Sequence, residues 1–474
     1  MVQYSLAEVL HPESIAIVGA SETNVGGGYV SALLKLGYKG KIYPVHPKYL
    51  EVKGITCYPT MHDIPGNVSF VISSIPATHV LNLIDDCVLK GVKCIQFFTA
   101  RFSETGRKDA IELEKEVLRR AKNAGIRIIG PNCMGVYYPA GGISWGANMS
   151  NKPGLMGFIS QSGSLAHELI ETAETRGLYC SKAFSYGNAI DFNECDYLEY
   201  LGRDAETKVI IMYIEGVRDG KRFLDTLRKT TKKKPVIILK GGRGKSGTRA
   251  TASHTASLAG SMEVWNTVMK QAGVISAAHV DELLDVASTF YFSLPTFGNH
   301  IGVVGLGGGG TVTAADLCEE AGLAVIPLPN EIREELRKQG NPIWDWVTNP
   351  VDSSILPKDS APGIIAKMMA ENPNFDLSLI FIDPKINRHP MTSDVLIKKF
   401  LLDDLKTKPL FVVLLDRGRS VIDTTGEYNK TLIGLTTKLI EEHIPSYPTA
   451  ARAANALGKM VNYYKKQRVE LKSQ

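Results

Sequence analysis

No run of apolar residues in this 474-residue chain approaches the ~18 that a membrane-spanning helix requires, so no span is expected. The seven cysteines, at positions 57, 87, 94, 133, 180, 195 and 318, form no CxxC pair and no Cys/His zinc spacing. That excludes a zinc ribbon and a disulfide scaffold, and it suits reduced thiols in a cytoplasm. The opening MVQYSLAEVLHPES has neither the basic flank nor the apolar centre of a secretory signal. The chain therefore reads as soluble and cytoplasmic. Charge is sparse: a net +5 over this length does not mark a nucleic-acid binder. The one short basic run, Lys232 to Lys234, falls between an apparent helix and a strand and reads as a solvated turn. Tandem repeats and low-complexity tracts are missing too.

What is present is a recurring alternation. Short apolar runs at Ser14–Gly19, Phe70–Ile75, Lys93–Phe98 and Arg127–Gly130 read as buried strands. Between the last two, Lys108–Lys122 places Ala110, Leu113, Val117 and Ala121 on one helical face. Strands alternating with amphipathic helices imply parallel sheets covered on both faces. The pattern recurs at Gly157–Ser160, Val209–Ile214 and Pro235–Lys240, and again at Ile301–Leu306, Leu377–Asp383 and Leu410–Leu415. The length suits three domains of about 150 residues. Tyr138–Pro153 and Ser293–Gly298 are candidate linkers, giving α/β blocks at 1–145, 146–295 and 296–474.

In the first block, IAIVGASETNVGGG puts glycines after the first strand, where backbone N–H groups and a helix dipole can hold a phosphate. Gly19, Ala20 and Ser21 do not form the G-x-G-x-x-G dinucleotide pattern. The second strand ends in IYPVHPK, with His46 and Lys48 where an NAD site would carry an acid. Basic groups there suit a phosphorylated ribose or a pyrophosphate, or simply a surface turn. SSIPATHV, FFTARFSETG and IGPNCMGV lie where parallel strands end, so their loops converge on one crevice. A nucleotide-bearing cofactor other than NAD is expected.

In the second block, LKGGRGKSGTRATASHTASLAGS follows a strand with a loop of small and basic residues around His254. Arg243, Lys245 and Arg249 supply positive charge, and a neutral imidazole can attack a phosphoryl centre. No second ligand sits at metal spacing, so no metal is assigned. A structural histidine is the alternative. GFISQSGSLAHE makes a phosphate or carboxylate pocket at a helix N-terminus, or a plain serine cap. Glu215, after a strand, could accept the other imidazole N–H and fix its tautomer, or face solvent.

Taken in order, these motifs resemble those of ADP-forming acetyl-CoA synthetase, in the succinyl-CoA synthetase superfamily, over essentially the whole chain. ASHTASLAGS is similar to the family's SHTGSLAG phosphohistidine motif, with Ala256 for Gly. The resemblance implies that His254 is phosphorylated, that Glu215 supports it, and that Ser160, Gln161, Ser162 and Gly163 bind phosphate. It implies that Gly19, Ala20, Ser21, Pro44, Lys48, Ile75, Pro76, Asn132 and Cys133 bind coenzyme A, with GPNCMGV near the thiol. GNAIDFNECDYLEYL, GLGGGGTVTAAD, TNPVDSS and YPTAARAANAL also resemble family segments. The expected fold is a Rossmann-like CoA-binding domain followed by two flavodoxin-like parallel-sheet domains, the second domain carrying the phosphohistidine and the third a ligase-CoA domain.

The implied reaction is acid + ATP + CoA ⇌ acyl-CoA + ADP + phosphate, through acyl phosphate and phosphohistidine. The final transfer to ADP, with Mg2+, implies an ATP-grasp beta subunit and a heterotetramer. Two departures bear on the acid: FTARFSE has Ala100 and Arg101 where the family commonly keeps a glycine before an apolar residue, and NPVDSSILP replaces NPVDLxG. Arg101 could read an acyl carboxylate, a CoA phosphate or solvent. A non-catalytic CoA-binding regulator and an NAD-dependent oxidoreductase are the competing readings. The missing acid after the second strand opposes the oxidoreductase, and the joint presence of His254, Glu215 and the Ser-Gln-Ser-Gly loop opposes the regulator.

Overall fold

The computed structural model describes residues 4–249, 261–338, 346–352, 362–383, 408–416, 419–422 and 426–472. Runs such as SIAIV, MGFIS and LFVVL do not alternate, so both faces of each strand must be covered, and every residue in them is buried. Three main sheets result. The first contains β1 (Ser14–Val18), β2 (Lys41–Val45), β5 (Phe70–Ser73), β6 (Cys94–Phe97) and β7 (Arg127–Ile129), all parallel, in the order β2-β1-β5-β6-β7. A small antiparallel ribbon, β3 (Glu51–Val52) with β4 (Ile55–Thr56), follows β2.

The second sheet runs β13-β12-β11-β9-β10-β8, from β8 (Gly135–Tyr137), β9 (Met156–Ser160), β10 (Cys180–Ser185), β11 (Val209–Ile214), β12 (Val236–Lys240) and β13 (Ile275–Ala277). Only β8 is antiparallel, paired to β10. The third sheet is parallel, in the order β15-β14-β16-β17-β18, from β14 (Ile301–Leu306), β15 (Val351–Asp352), β16 (Leu377–Ile382), β17 (Leu410–Leu414) and β18 (Ser446–Tyr447). Contacts divide the chain into two compact units, Met1–Leu283 with the first two sheets and Leu284–Gln474 with the third.

In each sheet the winding reverses. The chain steps from β1 to β2 and then to the other side of β1 at β5; likewise from β9 to β10 and then back past β9 at β11. Such a reversal sends consecutive loops in opposite directions and opens a crevice beyond the strands' carboxyl ends. Those crevices lie between β1 and β5, and between β9 and β11.

Local chemistry departs from the sequence reading in places. The helix Lys108–Ala124 buries Ala110, Val117 and Ala121, and also Glu114, whose carboxylate accepts from Ser103 and from Asn188 Nδ2 (2.9 Å). In the basic run, Lys232 and Lys233 are exposed, but Lys234 donates to the carbonyls of Leu201 (2.7 Å) and Asp204 (2.5 Å). It fastens a helix end and is not a solvated turn residue. Between Tyr138 and Pro153, Tyr138, Ile143, Trp145 and Met149 are buried. Trp145 Nε1 donates to His167 Nδ1 (3.3 Å), so this stretch packs on the second sheet. All seven cysteines are unpaired and buried.

In the second unit, Asn349 of the NPVD segment is buried and serves three backbone groups. Its Oδ1 accepts from Val303 N–H (2.9 Å), and its Nδ2 donates to the carbonyls of Ile301 and Ile326 (both 2.8 Å). Asn349→Ala would strand these groups in the interior, at about 1–3 kcal/mol for each unsatisfied buried group. The expected result is a cooperative loss of the second unit's stability of roughly 3 kcal/mol or more, read by urea unfolding.

Candidate functional site

At the crevice of the second sheet, β9 hands over to Gln161, whose N–H donates to the Tyr213 carbonyl (3.2 Å). Its side chain crosses to the end of β11, where Oε1 accepts from the N–H groups of Glu215 and Gly216 (2.9 Å to Gly216). Two donors meeting one atom identify it as the amide oxygen. The amide nitrogen has no hydrogen-bond partner among the described residues, and Gln161 lines a cavity of about 630 Å3.

Glu215 lines the same cavity. Its Oε1 accepts from Tyr213 OH (3.3 Å); Oε2 is buried with no partner among the described residues. A buried carboxylate oxygen without a donor is costly. Lys240, at the end of β12, donates from Nζ to the carbonyls of Glu215 (2.6 Å) and Gly241 (2.5 Å) and lies 5.4 Å from the Trp265 ring centre. Burial lowers the Lys240 pKa, opposed by the Glu215 carboxylate.

The helix Gly163–Glu174 starts at the cavity. Ser162 caps it by accepting from Leu165 N–H (3.4 Å), while Ser162 and Ser164 hydroxyls lie 3.3 Å apart. The first N–H groups of a helix have no intrahelical acceptor, so Gly163 and Ser164 bring donors and a positive dipole end to the cavity wall. A Cβ on Gly163 would stand 2.8 Å from Met134 Cγ, so a larger residue there would have to push the Met134 side chain aside. Ser160 sits behind this loop, fully buried, its hydroxyl bonded to Ser162 backbone atoms.

The opposite wall comes from the first sheet: Phe98, Ala100, Asn132, Cys133 and Met134. The loop after β7 is pinned from both sheets. Asn132 N–H donates to Thr99 O (2.9 Å), Met134 N–H to Ser185 Oγ (3.1 Å), and Met134 O accepts from Tyr29 OH (2.8 Å) and Gln96 Nε2 (3.0 Å). Cys133 is buried in this wall, and burial pushes its thiol well above its ordinary pKa.

Farther along, at the crevice between β1 and β5, Gly19 adopts φ +91 and its N–H donates to Val45 O (2.9 Å), directly after Pro44. A Cβ on Gly19 would lie 2.9 Å from Ile75. Ala20 and Ser21 are buried beside it, and Asn24 Oδ1 ties the Ser21 N–H (2.9 Å) to the start of the next helix. Thr99 Oγ1 donates to Ile75 O (2.8 Å), so one continuous ridge runs from Gly19 through Ile75 and Thr99 to Asn132. Lys48 and Pro76 are exposed beyond it.

Of the residues expected from the sequence, Asn132, Cys133, Gln161, Ser162, Gly163 and Glu215 share one cavity. Gly19, Ala20, Ser21, Pro44 and Ile75 gather at the neighbouring crevice. His254 lies outside the described residues. Tyr213, Met134 and Lys240 were not singled out, although Met134 stands within IGPNCMGV and Lys240 within the LKGGRGKSG stretch; Lys240, a charge closing the apolar run VIILK, left a further signal.

Residues 13–139 match the family described as a CoA binding domain, and residues 153–290 the succinyl-CoA ligase like flavodoxin domain. The alpha subunit of ADP-forming acetate–CoA ligase II of Pyrococcus furiosus is 39% identical over 368 residues, covering 77% of this chain and 80% of that protein. The alpha subunit of the same organism's ligase I is 31% identical and covers 97% of this chain and 98% of its own length. The chain belongs to the ADP-forming acetate–CoA ligase family. It is an alpha-type, CoA-binding chain of these ligases, and it spans about half (49%) of the ADP-forming acetate–CoA ligase of Methanocaldococcus jannaschii.

A solved structure agrees along the whole length. The dinucleotide forming acetyl-coenzyme A synthetase 1 of Candidatus Korarchaeum cryptofilum, in complex with phosphate and ADP, matches with a TM-score of 0.86 at 29% identity, covering 99% of each chain. Neither the regulator nor the oxidoreductase reading finds support among these relatives.

For this ligase chain, Gln161→Leu should orphan the Glu215 and Gly216 N–H groups. The expected outcome is a loss of roughly 2–4 kcal/mol in the first unit's unfolding free energy, measured by denaturant titration.

Proposed function

We propose that the chain is the catalytic CoA-binding subunit of an ADP-forming acyl-CoA synthetase, working through acyl phosphate and a phosphohistidine at His254. The observation that carries this reading is the buried Glu215 Oε2, without a donor among the described residues, in the cavity that also receives the start of helix Gly163–Glu174. A carboxylate able to accept an imidazole N–H, beside a helix N-terminus able to hold an anion, suits a histidine–phosphate exchange.

Coenzyme A would lie along the ridge from Gly19 to Asn132, its nucleotide end at Gly19, Ala20, Ser21, Pro44, Ile75 and Pro76 with Lys48 beyond, and its thioester at Cys133. Phosphate would sit at Gln161, Ser162 and Gly163, with Ser160 shaping the loop from behind. A phosphate oxygen attacks the thioester carbonyl, the C–S bond breaks, and the thiolate leaves to be protonated as CoA. The neutral His254 imidazole then attacks phosphorus; the bond to the acyl oxygen breaks and the carboxylate departs. Glu215 accepts the imidazole's remaining N–H and stabilises its charge as the N–P bond forms. Backbone donors at Gly163 hold the phosphoryl oxygens through both steps.

Passing the phosphoryl group to ADP, with Mg2+, falls in this reading to an ATP-grasp beta subunit in a cytoplasmic heterotetramer. The division at 145 and 295 into CoA-binding, phosphohistidine and ligase-CoA domains belongs to the same reading.

The chain's own half of the reaction needs no nucleotide. Incubated with 32P-phosphate and a panel of acyl-CoA esters, the wild type should take up acid-labile, base-stable label. His254→Ala should take up none, and Glu215→Gln should label on the order of a hundredfold more slowly. Equal labelling of the His254 variant overturns the assignment.

A further inference from the structure

Arg101 has an unusual backbone. It adopts φ +76, in the left-handed region that a long side chain rarely enters. The conformation is imposed from outside: Glu104 Oε1 accepts the Arg101 N–H (2.5 Å), and both Glu104 oxygens accept the Phe102 N–H (3.1 Å). Glu104 is itself held by Asn188 Nδ2 (2.7 Å), and Phe102 is fully buried. Glycine would meet this geometry at no steric cost, so the arginine is kept against a backbone preference.

Its guanidinium is uncommitted. The Arg101 side chain is exposed and makes no hydrogen bond or ion pair with any described residue. Three nearby cations are committed: Arg218 donates to Asn188 O (2.7 Å), Arg243 to Ala278 O and Lys240 to two carbonyls, while Lys245 is exposed. Arg101 directly follows Ala100, and the first-sheet wall of the cavity from Phe98 to Met134 contains no charged residue among those described.

We propose that Arg101 is a specificity-determining residue that selects acyl groups carrying a second carboxylate, the dicarboxylic acids. This rests on the reading that the thioester lies at Cys133. Conversion of the reacting carboxylate to a thioester removes one charge, and the second remains charged at the wall beside Ala100. A planar guanidinium on a rigid turn offers that carboxylate a paired, charge-assisted contact. A monocarboxylic acyl group has nothing to meet it.

The test is binding of glutaryl-CoA and pentanoyl-CoA to the full chain by calorimetry, in wild type, Arg101→Gly and Arg101→Lys. Glycine suits the turn, so the variant should fold, which its thermal midpoint checks. The wild type should prefer glutaryl-CoA on the order of tenfold or more, and Arg101→Gly should bring the two esters within about twofold. Arg101→Lys should retain part of the preference. An unchanged ratio in Arg101→Gly overturns the proposal. So does an equal loss for both esters that disappears with their 3′-dephospho-CoA forms, which would assign the guanidinium to the coenzyme. Failure of the wild type to bind either ester or CoA itself would instead sink the underlying reading of the site.

Discussion

Two mainly parallel sheets that each reverse their winding leave two crevices, and the loop Gly130–Met134 fastens one crevice against the other. That loop ends a strand of the first sheet and starts a strand of the second, so the chain must cross at this point. Its backbone is held by Thr99 on one side and Ser185 on the other, with Met134 O taking both Tyr29 and Gln96. The helix start at Gly163 packs closely on the Met134 side chain, which a methyl group there would have to displace. Everything proposed about the site depends on this close approach. It places donors from a second-sheet helix opposite a wall from the first sheet.

Charge is handled by the same economy of backbone. Glu215, Lys240 and Glu114 are buried, and their charges meet a tyrosine hydroxyl, two peptide carbonyls, and a serine hydroxyl with an amide, in place of a direct ion pair. Buried ion pairs carry large desolvation costs and become rigid once formed. Dipoles leave Glu215 with one oxygen still to satisfy.

Much of this was legible in the residues. Apolar runs such as VIIMYI and VIILK could only be doubly covered strands, and GASETN and SQSGS after strands pointed to crevices at their ends. Ser162 caps its helix, one of the two readings its spacing left open, and it also lines the cavity. What was not legible depends on long-range direction. Nothing adjacent to Gln161 shows that its oxygen reaches the Glu215 loop, 54 residues on. The packed stretch after Tyr138 looked like a linker because glycine, serine and asparagine serve tight packing as readily as turns. Glu104 and Asn188 shape the Arg101 turn across 84 residues, a distance that spacing cannot reveal.

Hydrogen exchange on the full chain, with and without CoA and phosphate together, tests the shared cavity most directly. The account predicts joint slowing of backbone amides in 130–134 and in 161–165, on both walls, when the two ligands are present. Slowing on one wall alone, or only in segments remote from both, would contradict it.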